Sequence, residues 1–388
     1  MKHHVKSVIA SLVLGTLISS AATAENLKIG MVVTLSGPPA ALGQQIVDGF
    51  QLALEEKGGM LGGQNVELII EDDELKPDVA LLKATSLVEK DQVDFVVGTV
   101  FSNMLQAIFK PVVQSDTFLI SPNAGPSTFA GKNCNPFFFV TSYQNNQNAQ
   151  IGGLIANEEG FENVFAMVPN YQAGRDNIDG FKQTFSGELT DEVFTPLGHQ
   201  DFSAELARMS TSGADAIFTF MPGGMGVRLV NQFANAGLSE SMKFMSVFTT
   251  DETTLPGQKD AAVGFLAAGS WAPDMPGDAN AAFVAAFEAK YGYIPGSYAM
   301  QAYETASLID SAVAKVDDLS DKDAVRTALK EADFDSLRGD FAFNNNHYPI
   351  QDFHMLSVVK RDDGQYHTSF VRTVAEDYAD SFHQDCKM

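Results

Sequence analysis

The feature that most constrains this chain is a repeated alternation of short apolar strands with single amphipathic helices. It is clearest from Val93 to Pro126, VDFVVGTVFSNMLQAIFKPVVQSDTFLISPNAGP. DFVVG and DTFLI are continuous apolar runs, the pattern of strands covered on both faces within a parallel sheet. Parallel neighbours need a crossover, and the helical stretch that starts at Ser102 supplies it, with Ser102 reading as its N-cap. The turns at Phe101-Ser102-Asn103 and at Ser121-Pro122-Asn123-Ala124-Gly125-Pro126 then share the carboxyl edge of one sheet. Open α/β folds bind ligands at that edge, and helix N-termini there favour anions. These turns are expected to form one wall of a small-molecule site.

The same rhythm fills the chain. Leu27–Thr34 reads as a buried strand, residues 42–56 as a helix with Ile46, Phe50, Ala53 and Leu54 inward, Val66–Glu71 as a strand and Asp78–Lys90 as a helix. A second series follows, with strands at Asn163–Val168, Glu192–Thr195, Ala214–Phe220 and Met242–Phe248. Helices alternate with these strands, three further helical patterns span residues 280–332, and a β-rich tail covers about Phe334 to Val371. Two similar α/β units account for the duplication better than one large sheet.

The N-terminus, MKHHVKSVIASLVLGTLISSAATA, has a basic start, an apolar run and the small-x-small signal Ala22-Thr23-Ala24, the pattern of a secretory leader over residues 1–24. An uncleaved anchor is the alternative, although the run is short for a membrane span. Removing the leader takes away Lys2 and Lys6 and moves the formal charge from −24 to −26. A body this acidic repels nucleic acid and anionic membrane, and its plain meaning is solubility. The 364 remaining residues exceed what one core usually holds. Cys134 and Cys386 fit a disulfide in an oxidising compartment, one that ties the C-terminal tail to the domain of the first wall. Two buried thiols are the rival reading.

Five stretches carry a resemblance: KIGMVVTLSGPPAALGQQIVDGFQLALEEKGGMLGGQNVELIIEDDE, VVGTVFSNM, LISPNAG, HQDFSAELARMSTSGADAIF and VRLVNQFANAGL. In these the chain resembles the bacterial periplasmic solute-binding proteins of the leucine/isoleucine/valine-binding type, which feed ABC importers. The resemblance implies an α/β fold of two doubly wound, Rossmann-like lobes joined by a three-segment hinge, with ligand in the cleft. The crossovers fall near Thr141–Gln144, Ala268–Trp271 and Phe343–Asn346. Residues 25–142 and 270–344 would form lobe one, 143–269 and 345–372 lobe two, and the tail 373–388 would return to lobe one.

Carried over by position, Ser102 matches the family hydroxyl that holds the ligand carboxylate. Asn123, Ala124 and Gly125 match the second turn, where amino-acid binders use a backbone carbonyl and a threonine. Gly125 stands in the threonine's place, so Asn123 is the candidate replacement, with a plain turn asparagine as the alternative. The family's ammonium partners are also missing. The tyrosine loop reads Phe220-Met221-Pro222-Gly223-Gly224, and Phe248-Thr249 occupy the glutamate's place, with Asp251 nearby. An ammonium buried without a carboxylate is costly.

The rest of the expected wall is Leu42, Phe101, Tyr171, Phe248 and Trp271, with Arg175 as a cationic donor. Plain packing for Tyr171 and Trp271, and a surface position for Arg175, are the alternatives. The favoured ligand is an aromatic or other amine-free carboxylic acid, with aliphatic amino acids and a sensory, ligand-presenting role as alternatives. The implied partner is a membrane permease; no nucleic acid, cofactor or membrane insertion is expected. GxSxG, HExxH and GxxxxGK are absent, and His199, His347, His354, His367 and His383 lack the spacing of a metal site or triad, so an enzyme is not expected.

Overall fold

Strands without polar alternation have one stable position, inside a parallel sheet with helices on both faces. The computed structural model describes residues 26–388, so the expected leader lies outside the described residues. The first half runs β1 (Leu27–Val33), α1 (Ala40–Glu56), β2 (Met60–Leu61), β3 (Gln64–Asp72), α2 (Pro77–Ser86), β4 (Phe95–Gly98), α3 (Ser102–Gln114), β5 (Phe118–Ser121) and β6 (Phe138–Val140). Its six-stranded sheet has the order β2-β3-β1-β4-β5-β6. All pairs are parallel except the edge hairpin β2–β3.

The second series runs α4 (Asn145–Glu158), β7 (Asn163–Pro169), α5 (Gln172–Thr184), β8 (Glu188–Thr195), α6 (Ser203–Met209), β9 (Ala216–Thr219), α7 (Gly224–Asn235), β10 (Lys243–Ser246), α8 (Leu255–Gln258) and β11 (Leu266–Gly269). It is followed by α9 (Asp278–Tyr291), α10 (Ser297–Val313), α11 (Lys322–Glu331), β12 (Ala342–Phe343), β13 (Pro349–Lys360) and β14 (Tyr366–Tyr378). The eight-stranded sheet has the order β12-β13-β11-β10-β9-β7-β8, with β14 on β13. The fold is α/β with two lobes.

Local chemistry explains several boundaries. The helix expected to reach Lys90 widens into a π turn at Leu87–Asp91 and stops at Gln92, whose φ is 54°. Asp321 begins α11 by accepting a 3.0 Å bond from the Ala324 amide. Helix α10 returns to the first lobe and lies so close to α1 that a Cβ on Gly49 would sit 2.0 Å from the Ala299 carbonyl oxygen.

The C-terminal strand differs from expectation. It continues past Val371 to Tyr378, because its backbone still pairs with β13 through Gln351↔Tyr378. The tail beyond it reaches the first lobe, where Cys134 and Cys386 form a disulfide.

Candidate ligand-binding site

In a doubly wound sheet the strand order reverses direction at one place, and the loops there separate to leave a crevice. In the first sheet this place lies between β1 and β4, and in the second between β7 and β9. The loops leaving all four strands meet around one cavity. The first lobe contributes Leu42, Val100, Phe101, Ser102, Asn123 and Ala124. The second contributes Tyr171, Ala173, Asn177, Phe220, Pro222, Val247 and Phe248, while Tyr143, Asn145 and Tyr298 close the remaining sides.

Five helices begin at this wall: Leu42, Ser102, Asn145, Ala173 and Tyr298 lie within the first three residues of α1, α3, α4, α5 and α10. Their first amides have no partner inside their own helices, and their dipoles place partial positive charge at the cavity. Among the described residues, none that lines the cavity carries a formal charge.

Ser102 is the first residue of α3, and the N-cap is Phe101, in extended conformation. The hydroxyl therefore does not cap the helix as expected. It accepts a 3.1 Å bond from Asn145 Nδ2 instead. The same amide nitrogen donates to Asp176 Oδ2 at 2.9 Å, and Asn145 Oδ1 accepts from the Gly125 amide at 3.2 Å. With Asn145 held on both ends, Ser102 serves as an acceptor toward the protein and its own O–H is left for the cavity.

Asp176 joins the lobes. It accepts from the Ser127 amide at 3.1 Å and the Ser127 hydroxyl at 2.6 Å, and from Gln172 Nε2 at 2.8 Å. Burial raises its pKa, and those bonds act in the opposite direction.

Asn123 lines the cavity, but its amide is occupied. Nδ2 donates to the Val100 carbonyl at 2.7 Å, and Oδ1 accepts from the Tyr143 hydroxyl at 2.9 Å. It positions Tyr143, so the turn reading fits better than replacement of a threonine. Gly125 does not line the cavity. A Cβ there would sit 1.8 Å from the Tyr143 carbonyl oxygen, so the close backbone approach excludes any side chain.

Phe248 faces the cavity with φ of 51°, a left-handed conformation that costs a bulky residue ~1–3 kcal/mol. Its ring stacks on Tyr143 at 5.2 Å and packs on Tyr298 at 5.7 Å, contacts that hold it there. Asp251 does not reach the wall. Its Oδ1 accepts from the amides of Thr253 and Thr254 at 2.8 and 3.2 Å, and burial pushes its pKa up to about 6. Neighbouring Glu252, also raised by burial, to about 7, accepts from the Thr368 amide at 2.8 Å.

Two further expected wall residues lie elsewhere. Trp271 is buried against Phe283, and its indole N–H donates to Asn280 Oδ1 at 2.8 Å. Arg175 is exposed and donates to Asn170 Oδ1 at 3.2 Å, because the face of α5 turned inward carries Ala173 and Asn177. Tyr171 does line the cavity, edge-on to Phe101 at 6.1 Å and stacked on Phe220 at 6.2 Å. Sequence reasoning missed Tyr143, Asn145, Asn177, Phe220 and Tyr298 as wall residues. The polar start of α4, Asn145-Asn146-Gln147-Asn148, was the available signal, since such a run at a helix start is buried here. Burial holds the pKa values of Tyr143, Tyr171 and Tyr298 far above the ordinary tyrosine value, so all three remain neutral hydroxyls.

The sequence model of the family described as "Periplasmic binding protein" matches residues 26–365. The chain belongs to this family. It is 26% identical over 379 residues to the Leu/Ile/Val-binding protein homolog 6 of Brucella melitensis, an alignment covering 95% of this chain and 96% of that one. A solute-binding protein of an ABC transporter from R. palustris, in complex with benzoate, superposes with a TM-score of 0.88. It is 28% identical, over 94% of this chain and 100% of its own. A second R. palustris solute-binding protein, in complex with 4-hydroxybenzoate, has a TM-score of 0.86 and 26% identity over 91% of this chain and 98% of its own. These periplasmic binding proteins are transport proteins. Among the described residues no helix is long and apolar enough to cross a membrane.

Proposed function

We propose that this chain is the substrate-binding component of an ABC importer and captures an amine-free carboxylic acid, with an aromatic acid favoured, in the cavity between the lobes. One observation carries the reading: the wall combines helix N-termini and neutral hydroxyls with apolar and aromatic surface, and it contains no carboxylate. A ligand carboxylate would be held by Ser102 and the free amides of α3, without a buried counter-ion. A ring would lie among Phe101, Tyr171, Phe220 and Phe248. An α-ammonium would be buried without a partner, at a cost of several kcal/mol. The benzoate and 4-hydroxybenzoate complexes of the R. palustris proteins support the choice of acid.

In this reading residues 1–24 are a cleaved leader to the periplasm, and residues 25–142 with 270–344 move as one lobe against 143–269 with 345–372. Closure on ligand follows from its contacts to both lobes, because only differential affinity shifts such an equilibrium. The closed form would then dock on a membrane permease, with no catalysis.

Thermal-shift titration of the mature protein with benzoate-type acids, leucine and valine tests the ligand class. An acid at about 100 times its Kd should stabilise by ~2.7 kcal/mol. A response to leucine or valine without one to the acids would overturn the ligand assignment and favour the amino-acid reading that the names of the curated relatives carry. Ser102→Ala should weaken the bound acid by about 10–100-fold, through loss of one charge-assisted hydrogen bond, measured by calorimetric titration.

A further inference from the structure

The wall contains one acceptor that a plain carboxylic acid leaves unsatisfied. Asn177 lines the cavity, is 2% exposed and lies on α5, a rigid element. Its Nδ2 donates to the Ala173 carbonyl one turn back at 2.8 Å, which settles the orientation of the amide. Exchanging the two ends would set oxygen against oxygen. Its Oδ1 has no hydrogen-bond partner among the described residues. Buried polar atoms are normally satisfied, and an unpaired one on a residue that lines a ligand cavity points to a group the ligand brings.

The other free side-chain polar groups at the wall are hydroxyls. Those of Ser102, Tyr171 and Tyr298 donate to no described protein group. They suit the oxygens of a carboxylate, which only accepts. Asn177 Oδ1 needs the opposite, a donor. A protonated amine would supply one, but no described residue of the lining carries a charge to offset it. A neutral O–H meets the requirement.

Resting on the reading of the cavity as an acid site, we infer that the ligand carries a hydroxyl besides its carboxylate, and that Asn177 Oδ1 accepts from it. Asn177 then sets specificity for a hydroxylated acid over its unsubstituted parent. A site built to pair a ligand hydroxyl discriminates against the analogue lacking it, because its own polar group is left unpaired.

The test is calorimetric titration of the wild-type protein and Asn177→Leu with benzoate and the three monohydroxybenzoates. For wild type, at least one hydroxy isomer should bind about tenfold more tightly than benzoate. In Asn177→Leu the ratio of the two dissociation constants should fall toward one. If the ratio survives the substitution, or if wild type prefers benzoate to every isomer, the inference is overturned while the acid site stands. If none of the four acids binds, the aromatic-acid reading fails and this inference with it. The wild-type ratio needs no variant, and Asn177→Ser supplies a second substitution should the leucine variant not fold.

Discussion

Arg338→Met should destabilise the protein by about 3–5 kcal/mol, the cost of breaking a buried ion pair by removing one partner. The side chains of Arg338 and Glu304 are 1% and 0% exposed and bonded to each other. Arg338 also donates to the Thr141 carbonyl at 2.7 Å, the Ser142 carbonyl at 3.1 Å and Gln351 Oε1 at 2.5 Å. Glu304 Oε1 accepts from the Leu337 amide at 2.7 Å and Ser336 Oγ at 2.9 Å. One guanidinium therefore ties the crossover after β6 to β13 and α10. The planar fork of donors does this, so lysine should not substitute for it. Most of the loss arises from leaving the Glu304 carboxylate unpaired, and the double change Arg338→Met with Glu304→Gln should recover a large part of it. Urea denaturation of the three proteins measures this. A loss below about 1 kcal/mol for Arg338→Met would place the pair among surface bridges in its contribution.

Removing the disulfide should have the next largest effect, a loss of about 2–5 kcal/mol on changing Cys134 and Cys386 to serine. The bond spans 252 residues, so it restricts the unfolded chain strongly. In the folded state it secures a tail that hydrogen bonds and packing also hold. Asn346 Nδ2 bridges the Ala130 carbonyl at 2.8 Å and Asp380 Oδ2 at 3.0 Å, and Asn345 Nδ2 reaches the His383 carbonyl at 3.0 Å. None of these residues lines the cavity. Ligand affinity should therefore change little while the denaturation midpoint falls. A large loss of affinity at unchanged stability would show that the tail acts on the cleft, contrary to this account.

The periodicity of apolar residues was enough to place β1, β4, β5, β7 and β9, because a strand buried on both faces leaves no freedom in its pattern. It also placed the turns after β4 and β5, and so brought Phe101, Ser102, Asn123 and Ala124 to the cavity wall, whereas Leu42, Tyr171 and Phe248 were expected there from the resemblance. Strand β14 was read short because its last residues alternate polar side chains, and only pairing with β13 shows that they continue the sheet.

What the sequence by itself determined is the α/β class, the duplicated lobe and the carboxyl-edge location of the site, since all three follow from local period and from short-range turn chemistry. The tertiary structure alone decided which aromatic residues face the ligand. Trp271 and Tyr298 are both large and both buried, yet one bonds Asn280 in a helical cluster and the other closes the cavity. It also decided that Gly125 is a point of backbone contact, that Asn123 is occupied by Tyr143, and that Asn177 is left unpaired. Each of these depends on residues from separate elements meeting at hydrogen-bond distance, and no local pattern encodes such a meeting.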